Sequence, residues 1–203
     1  MKQLLDGYRA FKATRWPEER ALYAELAKGQ RPEVLVIACS DSRADPATIF
    51  SAAPGELFVV RNVAGIVPPF EPDSGYHGTS AALAFAVIRL RVKHILVLGH
   101  AQCGGIAAAI DGRLTEGVPF LGNWIALLEP VRAHSAHVHD PAARHVAMER
   151  DCVKLSLDNL MSFPFVAERV KDGRLRLNGA RFGIADGRLE VLDRTSGEFI
   201  AVE

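Results

Sequence analysis

Three short stretches of the chain are apolar almost throughout: "EVLVIAC" at residues 33–39, "ELFVVRN" at 56–62 and "HILVLGH" at 94–100. They are rich in β-branched residues and do not alternate with polar positions, as expected of strands buried on both faces of a parallel sheet. Helical spacing separates them, as in "SAALAFAVIRL", so the pattern predicts an α/β fold with a mainly parallel central sheet flanked by helices. Residues 3–12 and 17–28 also repeat at helical spacing (Leu4, Leu5, Tyr8, Phe11; Leu22, Leu26) and predict an N-terminal helical arm that stops at "GQRP". After a polar connection at residues 129–142, "PAARHVAMERDCVKLSLDNLMSF" predicts a long amphipathic helix, and Pro164 starts a short one. The end alternates again. "LRLNGARFGIADGRLEVLD" flanks the turn signal Asp186-Gly187 and predicts an antiparallel hairpin closing the sheet on one side.

Composition narrows the class. At 203 residues and 49% hydrophobic content the chain reads as one domain, residues 1–203, with a sizeable core and no repeat or linker to divide it. Lys plus Arg and Asp plus Glu number 24 each, so the basic footprint of a nucleic-acid binder is missing and small molecules are the expected partners. The first residues carry no apolar core of signal-peptide type and no run is long enough to span a membrane, so a cytoplasmic location without membrane association is expected. Three cysteines in such a chain argue for reduced thiols, which can bind metal.

The chemistry concentrates where the apolar runs end. Cys39, Asp41 and Arg43 are spaced two residues apart in "CSDSR", and in an extended segment they project to one side. His100 and Cys103 in "GHAQCGG" come onto one side if a helix starts there. Both groups fall at carboxyl ends of predicted parallel strands, where functional groups gather. Two thiolates and an imidazole suit Zn²⁺ and leave one tetrahedral position for water or substrate. Taken singly, a cysteine reads as core, because free cysteine is among the most buried residue types. Cys152, inside the long helix with no partner motif, keeps that reading. His134, His137, His139 and His145 read as solvated surface of the polar connection.

Together, "ACSDSR", "PGELFVVRNVAG", "GHAQCGG" and "NGARFGIADGRLEVLD" resemble the β-class carbonic anhydrases in order and spacing over nearly the whole chain. The resemblance implies zinc on Cys39, His100 and Cys103, with Asp41 and Arg43 as the catalytic pair in the reversible hydration of CO₂ to bicarbonate. It also implies a homodimer or a higher homo-oligomer of dimers, with the arm at residues 1–30 packed on the partner. Gln30 matches an amide near the substrate, supplied across the dimer interface, Phe58 and Phe85 an apolar wall, and Gly104 a substrate-binding position. Where the plant-like subgroup carries tyrosine this chain has Phe85, followed four residues on by Arg89. The bicarbonate-inhibited subgroup builds a second pocket from Trp, Arg and Tyr. Those positions are Val36, Arg61 and Phe182 here, which resembles the plant-like subgroup more. The rival readings are hydrolysis of carbonyl sulfide or carbon disulfide on the same scaffold, since fold does not set substrate, and a non-catalytic zinc-binding module. A cysteine phosphatase needs more residues between Cys and Arg than "CSDSR" provides.

Overall fold

The computed structural model describes residues 1–73 and 75–203, with residues 113 and 114 through their backbone only. Its centre is a six-stranded sheet in the order β2-β1-β3-β4-β5-β6. The strands are β1 (Val34–Cys39), β2 (Leu57–Asn62), β3 (His94–His100), β4 (Arg176–Phe182), β5 (Leu189–Leu192) and β6 (Phe199–Ala201). The first four run parallel and the last two antiparallel. The helices are α1 (Lys2–Ala13), α2 (Arg15–Leu26), α3 (Pro46–Ile49), α4 (Gly78–Ala84), α5 (Gly104–Ile110), α6 (Leu121–Ile125), α7 (Glu129–His134), α8 (Pro141–Ser162) and α9 (Pro164–Lys171).

The uninterrupted apolar runs follow from burial on both faces. Leu35 and Ile37 join Ile95, Val97 and Leu177 in one core cluster, which also takes in Val153, Leu157 and Leu160 of α8 and Val166 of α9. Val36 and Ala38 join Leu98 and Ala180 in a second cluster, with Ile49 and Phe50 packed against it. Successive strand residues point to opposite faces, so a sheet covered on both sides needs every position apolar.

Several local expectations are corrected. The arm helices meet at Thr14, α2 beginning before Pro17. The segment at 129–142 is not a plain connection: Glu129 and Pro130 open α7, Val131 is buried, and Arg132 pairs with Glu129 at 2.7 Å. "SAALAFAVIRL" is helical throughout but α-helical only to Ala84, turning π-helical over Phe85–Leu90 and ending at Arg91 in the left-handed region. One further strand, β6, follows the hairpin and pairs antiparallel with β5. Its three residues are too few for a periodic signal. His145 sits within α8, not on the connection, and its side chain is half-buried beside Glu149.

Two features place the functional end. Chain order runs from β1 outward to β2, then back across β1 to β3, so a crevice opens at the carboxyl ends of β1 and β3, the switch point of the sheet. Asp140 caps α8 through the Ala143 N–H at 2.7 Å, and Pro141 occupies its first turn. Further along, α8 presses on β3 so closely that a Cβ on Gly99 would lie 2.8 Å from Val153 Cγ2. That approach carries Glu149 to the loop following β3.

Candidate metal centre

β1 ends at Cys39 and β3 at His100. Extended spacing does not bring Asp41 and Arg43 to Cys39, because the chain leaves the sheet there and turns, with Ala44 N–H donating to Asp41 O at 3.1 Å. Nor do His100 and Cys103 share a helix face. His100 closes the strand, Cys103 is the N-cap of α5, and a two-residue turn joins them through Gln102, whose φ is +54°.

These turns bring the predicted group together. Cys39, His100 and Cys103 are all buried, and their ligand-type atoms lie within 4.8 Å of one another. The two Sγ atoms are 3.9 Å apart. Two thiolates at ~2.3 Å from a tetrahedral zinc would be about 3.8 Å apart, so the pair fits without rearrangement. The His100 Nδ1 lies 2.9 Å from Ala101 O. A carbonyl only accepts, so Nδ1 carries the proton and Nε2 presents its lone pair. That Nε2 is buried and has no hydrogen-bond partner among the described residues. Without a metal, the Cys103 S–H stabilises a Cys39 thiolate: Cys39 is held well below the ordinary thiol range, and Cys103 is pushed above it by the same contact and by burial. A cation held here would take the place of that shared proton, with both sulfurs as thiolates.

Asp41 borders the group, its Oδ2 3.9 Å from His100 Nε2. Its carboxylate accepts from the Arg43 backbone N–H at 2.9 Å, from Nε at 3.0 Å and from Nη2 at 2.7 Å. These bonds hold Asp41 well below the usual carboxylate range. Arg43 Nη2 also donates to Gln102 O at 3.2 Å, joining the loop after β1 to the loop after β3. Arg61 fastens the first loop from beneath, donating to Cys39 O at 2.9 Å, Asp45 Oδ2 at 3.0 Å and Asp41 O at 2.6 Å. An apolar cluster including Ala64, Ile66, Ile106 and Met148 backs the two cysteines and excludes water from that side. Cys152 belongs to this cluster, its thiol pushed up to about 12 by burial, which keeps it an inert S–H.

Gly65, in the turn after β2, has φ +66°, and a Cβ there would lie 3.1 Å from the backbone of both Ala38 and Cys39. Gly65→Ala is expected to cost about 1–2 kcal/mol from the left-handed conformation alone, with more from displaced Cys39. Denaturant midpoints and zinc content, read on the same samples, check this. An equally stable, fully zinc-loaded variant would show that the turn does not seat Cys39.

Gln30, Phe58 and Phe85 are not part of this arrangement within one chain. Gln30 precedes β1 and Phe58 is the second residue of β2, whereas the cysteine site lies at the far ends of those strands, a distance of several residues at ~3.3 Å each. Phe58 and Phe85 stack on each other with ring centroids 5.8 Å apart. Gly104 opens α5, exposed, directly beside Cys103.

The carbonic anhydrase family model matches residues 34–189. Structures described as two tetrameric β-carbonic anhydrases of the filamentous ascomycete Sordaria macrospora include a chain 33% identical, matched over 94% of this chain and 95% of that one with a TM-score of 0.83. The chain belongs to the β-carbonic anhydrases. A carbonic anhydrase of Pseudomonas aeruginosa is 39% identical over all of this chain and 92% of its own length. The structure of the β-carbonic anhydrase CcaA superimposes on the whole chain with a TM-score of 0.94 at 29% identity, covering 92% of that protein. The reaction of this carbonic anhydrase, a lyase, is the reversible hydration of CO₂.

Sequence reasoning missed Gln102, Glu149, Arg181 and the supporting role of Arg61. A signal existed for Glu149, a carboxylate directly after Met148 and three and four residues before Cys152 and Val153 on the buried stripe of α8. None existed for Gln102, whose role lies in its backbone.

Proposed function

We propose that this carbonic anhydrase binds one zinc per chain through Cys39, His100 and Cys103, and that Asp41 and Arg43 are the pair that orients the reacting group. The observation that carries the reading is the buried, unpartnered Nε2 of His100 facing two sulfurs whose spacing suits one tetrahedral ion. Zinc, when bound, supplies a Lewis acid that makes a nucleophile of water near neutral pH. The chain supplies the rest. Asp41, fully ionised, offers an acceptor at the edge of the site that aligns an O–H so that its oxygen faces CO₂. Arg43 keeps that carboxylate turned away from the ligand position and so acts as a latch. Gly104 leaves the approach beside Cys103 open.

The remaining wall requires a second copy. Gln30 precedes β1, Phe58 lies near the amino end of β2, and Phe85, which opens the π-helical stretch, stacks on Phe58; in a dimer the three serve the neighbouring site. The arm supports this arrangement. Phe11, Trp16 and Tyr23 pack together at 5.1–6.3 Å, while α1 buries no residue, and Leu4 and Tyr8 are 71% and 60% exposed. We assign the full chain to one domain whose arm packs on its partner, in a homodimer or a higher assembly of dimers. The reduced thiols suit a cytoplasmic setting.

Within the family we place the chain with the plant-like subgroup. Val36 is buried in an apolar cluster against which Phe182 packs, and the Nε, Nη1 and Nη2 groups of Arg61 are all engaged by the loop, which leaves no receptive second pocket for an anion. The test is zinc analysis with a CO₂ hydration assay, before and after chelation and zinc return, at increasing bicarbonate. One zinc per chain, activity that follows the metal, and hyperbolic product inhibition are expected. A metal-free active protein would overturn the zinc reading, and sigmoidal bicarbonate inhibition the subgroup.

A further inference from the structure

Behind the metal centre lies a buried ionic chain that the reaction does not use directly. Glu149, on α8, is 3% exposed. Its Oε1 accepts the backbone N–H of Gln102 at 2.6 Å, and its Oε2 accepts Arg181 Nε at 2.7 Å with Nη2 at 2.6 Å. Arg181, on β4, continues to Glu190 on β5 at 3.3 Å, and Arg150 holds Glu190 from α8 at 2.9 Å. His145 Nε2 lies 3.3 Å from Glu149 Oε1. A buried carboxylate is costly unless its charge is matched and its lone pairs are used, and here both conditions are met.

The position of Gln102 makes this more than a structural tie. It is the residue between two expected zinc ligands, His100 and Cys103, that adopts the left-handed region, at φ +54°. A side chain disfavours that region, so something must hold the conformation. Two groups do so from opposite sides. Glu149 fixes the N–H and with it φ, while Arg43 takes the carbonyl oxygen and with it ψ. Arg43 is also the partner of Asp41. One rigid path therefore runs from Arg181 through Glu149, the Gln102 backbone and Arg43 to Asp41. Glu149 also shares the lining of a small cavity with His100, Cys103 and Cys152, so it stands directly behind the ligands.

We propose that Glu149 is a positioning residue for the metal centre: by clamping the Gln102 N–H it sets the turn that aims His100 and Cys103 at one point and registers Arg43 and Asp41 with them. The inference rests on the reading that those residues hold zinc. Outer partners of metal ligands, when lost, typically cost 10- to 100-fold in metal affinity or activity. Glu149 acts at one remove, through the backbone between two ligands.

The experiment uses the full chain as wild type, Glu149→Gln and, as a second variant, Glu149→Leu, each also prepared with Gln102→Gly added. Glu149→Gln keeps the side-chain volume but must face either the Gln102 N–H or Arg181 with an NH₂ group, so one contact fails. The expected results are zinc affinity about 10-fold weaker by chelator competition, and shifted visible bands in the Co²⁺-substituted protein. A fall in kcat larger than any change in KM is expected alongside them. Glycine takes the left-handed conformation at no steric cost, so Gln102→Gly is expected to recover part of the lost affinity and move the Co²⁺ spectrum back toward wild type. Simple destabilisation would lower the melting temperature without that rescue. Wild-type affinity and Co²⁺ spectra in a folded Glu149 variant would overturn the proposal, as would losses that Gln102→Gly leaves untouched. Wild-type protein that binds neither zinc nor Co²⁺ would instead refute the underlying metal reading.

Discussion

Cys39→Ser is expected to abolish zinc binding and CO₂ hydration together, leaving only the uncatalysed rate. A serine hydroxyl does not ionise in the neutral range, so the substitution removes a charged soft ligand and leaves one imidazole and one thiol. It also removes the thiolate that Cys103 stabilises at 3.9 Å, so the site loses its electrostatic attraction for a cation as well as one of its donors. The backbone around Cys39 is held independently by the β2 and Arg61 contacts, so folding is expected to survive. Elemental analysis and circular dichroism on one preparation check the result. Cys152→Ser provides the contrast, because its thiol is equally buried but faces Ala64 O at 3.8 Å and not the ligand group. It is expected to keep full zinc. One zinc per chain with undiminished hydration in Cys39→Ser would refute the ligand assignment.

Asp41→Asn is expected to retain zinc while losing on the order of 100-fold in rate, the scale of a misaligned reacting group. The carboxylate is no ligand in the arrangement described, yet its bonds to Arg43 aim it at the site. An amide there turns an NH₂ toward the guanidinium or toward the reacting oxygen. The pH dependence separates this contribution from that of the metal. Arg43 lowers the Asp41 pKa, so the functional carboxylate is present above that depressed pKa and is lost only as pH falls far below neutrality. A rise in rate across about pH 6–9, the window around the ionisation of catalytic zinc water, therefore comes from the metal side of the site. Two thiolates offset the charge of the ion, which places the rise toward alkaline pH. Wild type and Asp41→Asn are expected to share that rise at different heights. A flat wild-type profile, or a rise that vanishes in the variant, would overturn the assignment.

The Glu149 proposal changes how far the site extends. If the clamp acts as argued, the metal centre is carried by α8 and the β4–β5 hairpin as well as by the loops that bear its ligands. Substitutions at Arg181 would then reach the metal across two hydrogen-bonded contacts, although Arg181 touches no ligand.

The sequence by itself determined the sheet and the residue types of the candidate metal centre. Burial on both faces demands unbroken apolar strands, so β1, β2 and β3 stand out in "VLVIAC", "LFVVRN" and "HILVLGH". The chemistry of a soft-ligand site demands cysteine and histidine, which fall at the ends of two of them. Local spacing could also present the Asp41–Arg43 pair, because the contact spans two residues. Only the tertiary structure decided how the groups converge. Extended and helical spacing were the wrong reasons for their meeting: a turn after Cys39 and a left-handed residue at 102 bring them together, and a backbone conformation at glutamine leaves no mark in the sequence. Glu149 and Arg181 lie 47 and 79 residues from Gln102, and their charges are tolerable only because the fold brings them into contact in a water-poor interior. The separation of Gln30 and Phe58 from the cysteines of their own chain follows likewise from strand length and direction, which become distances only once the strands are aligned in the sheet.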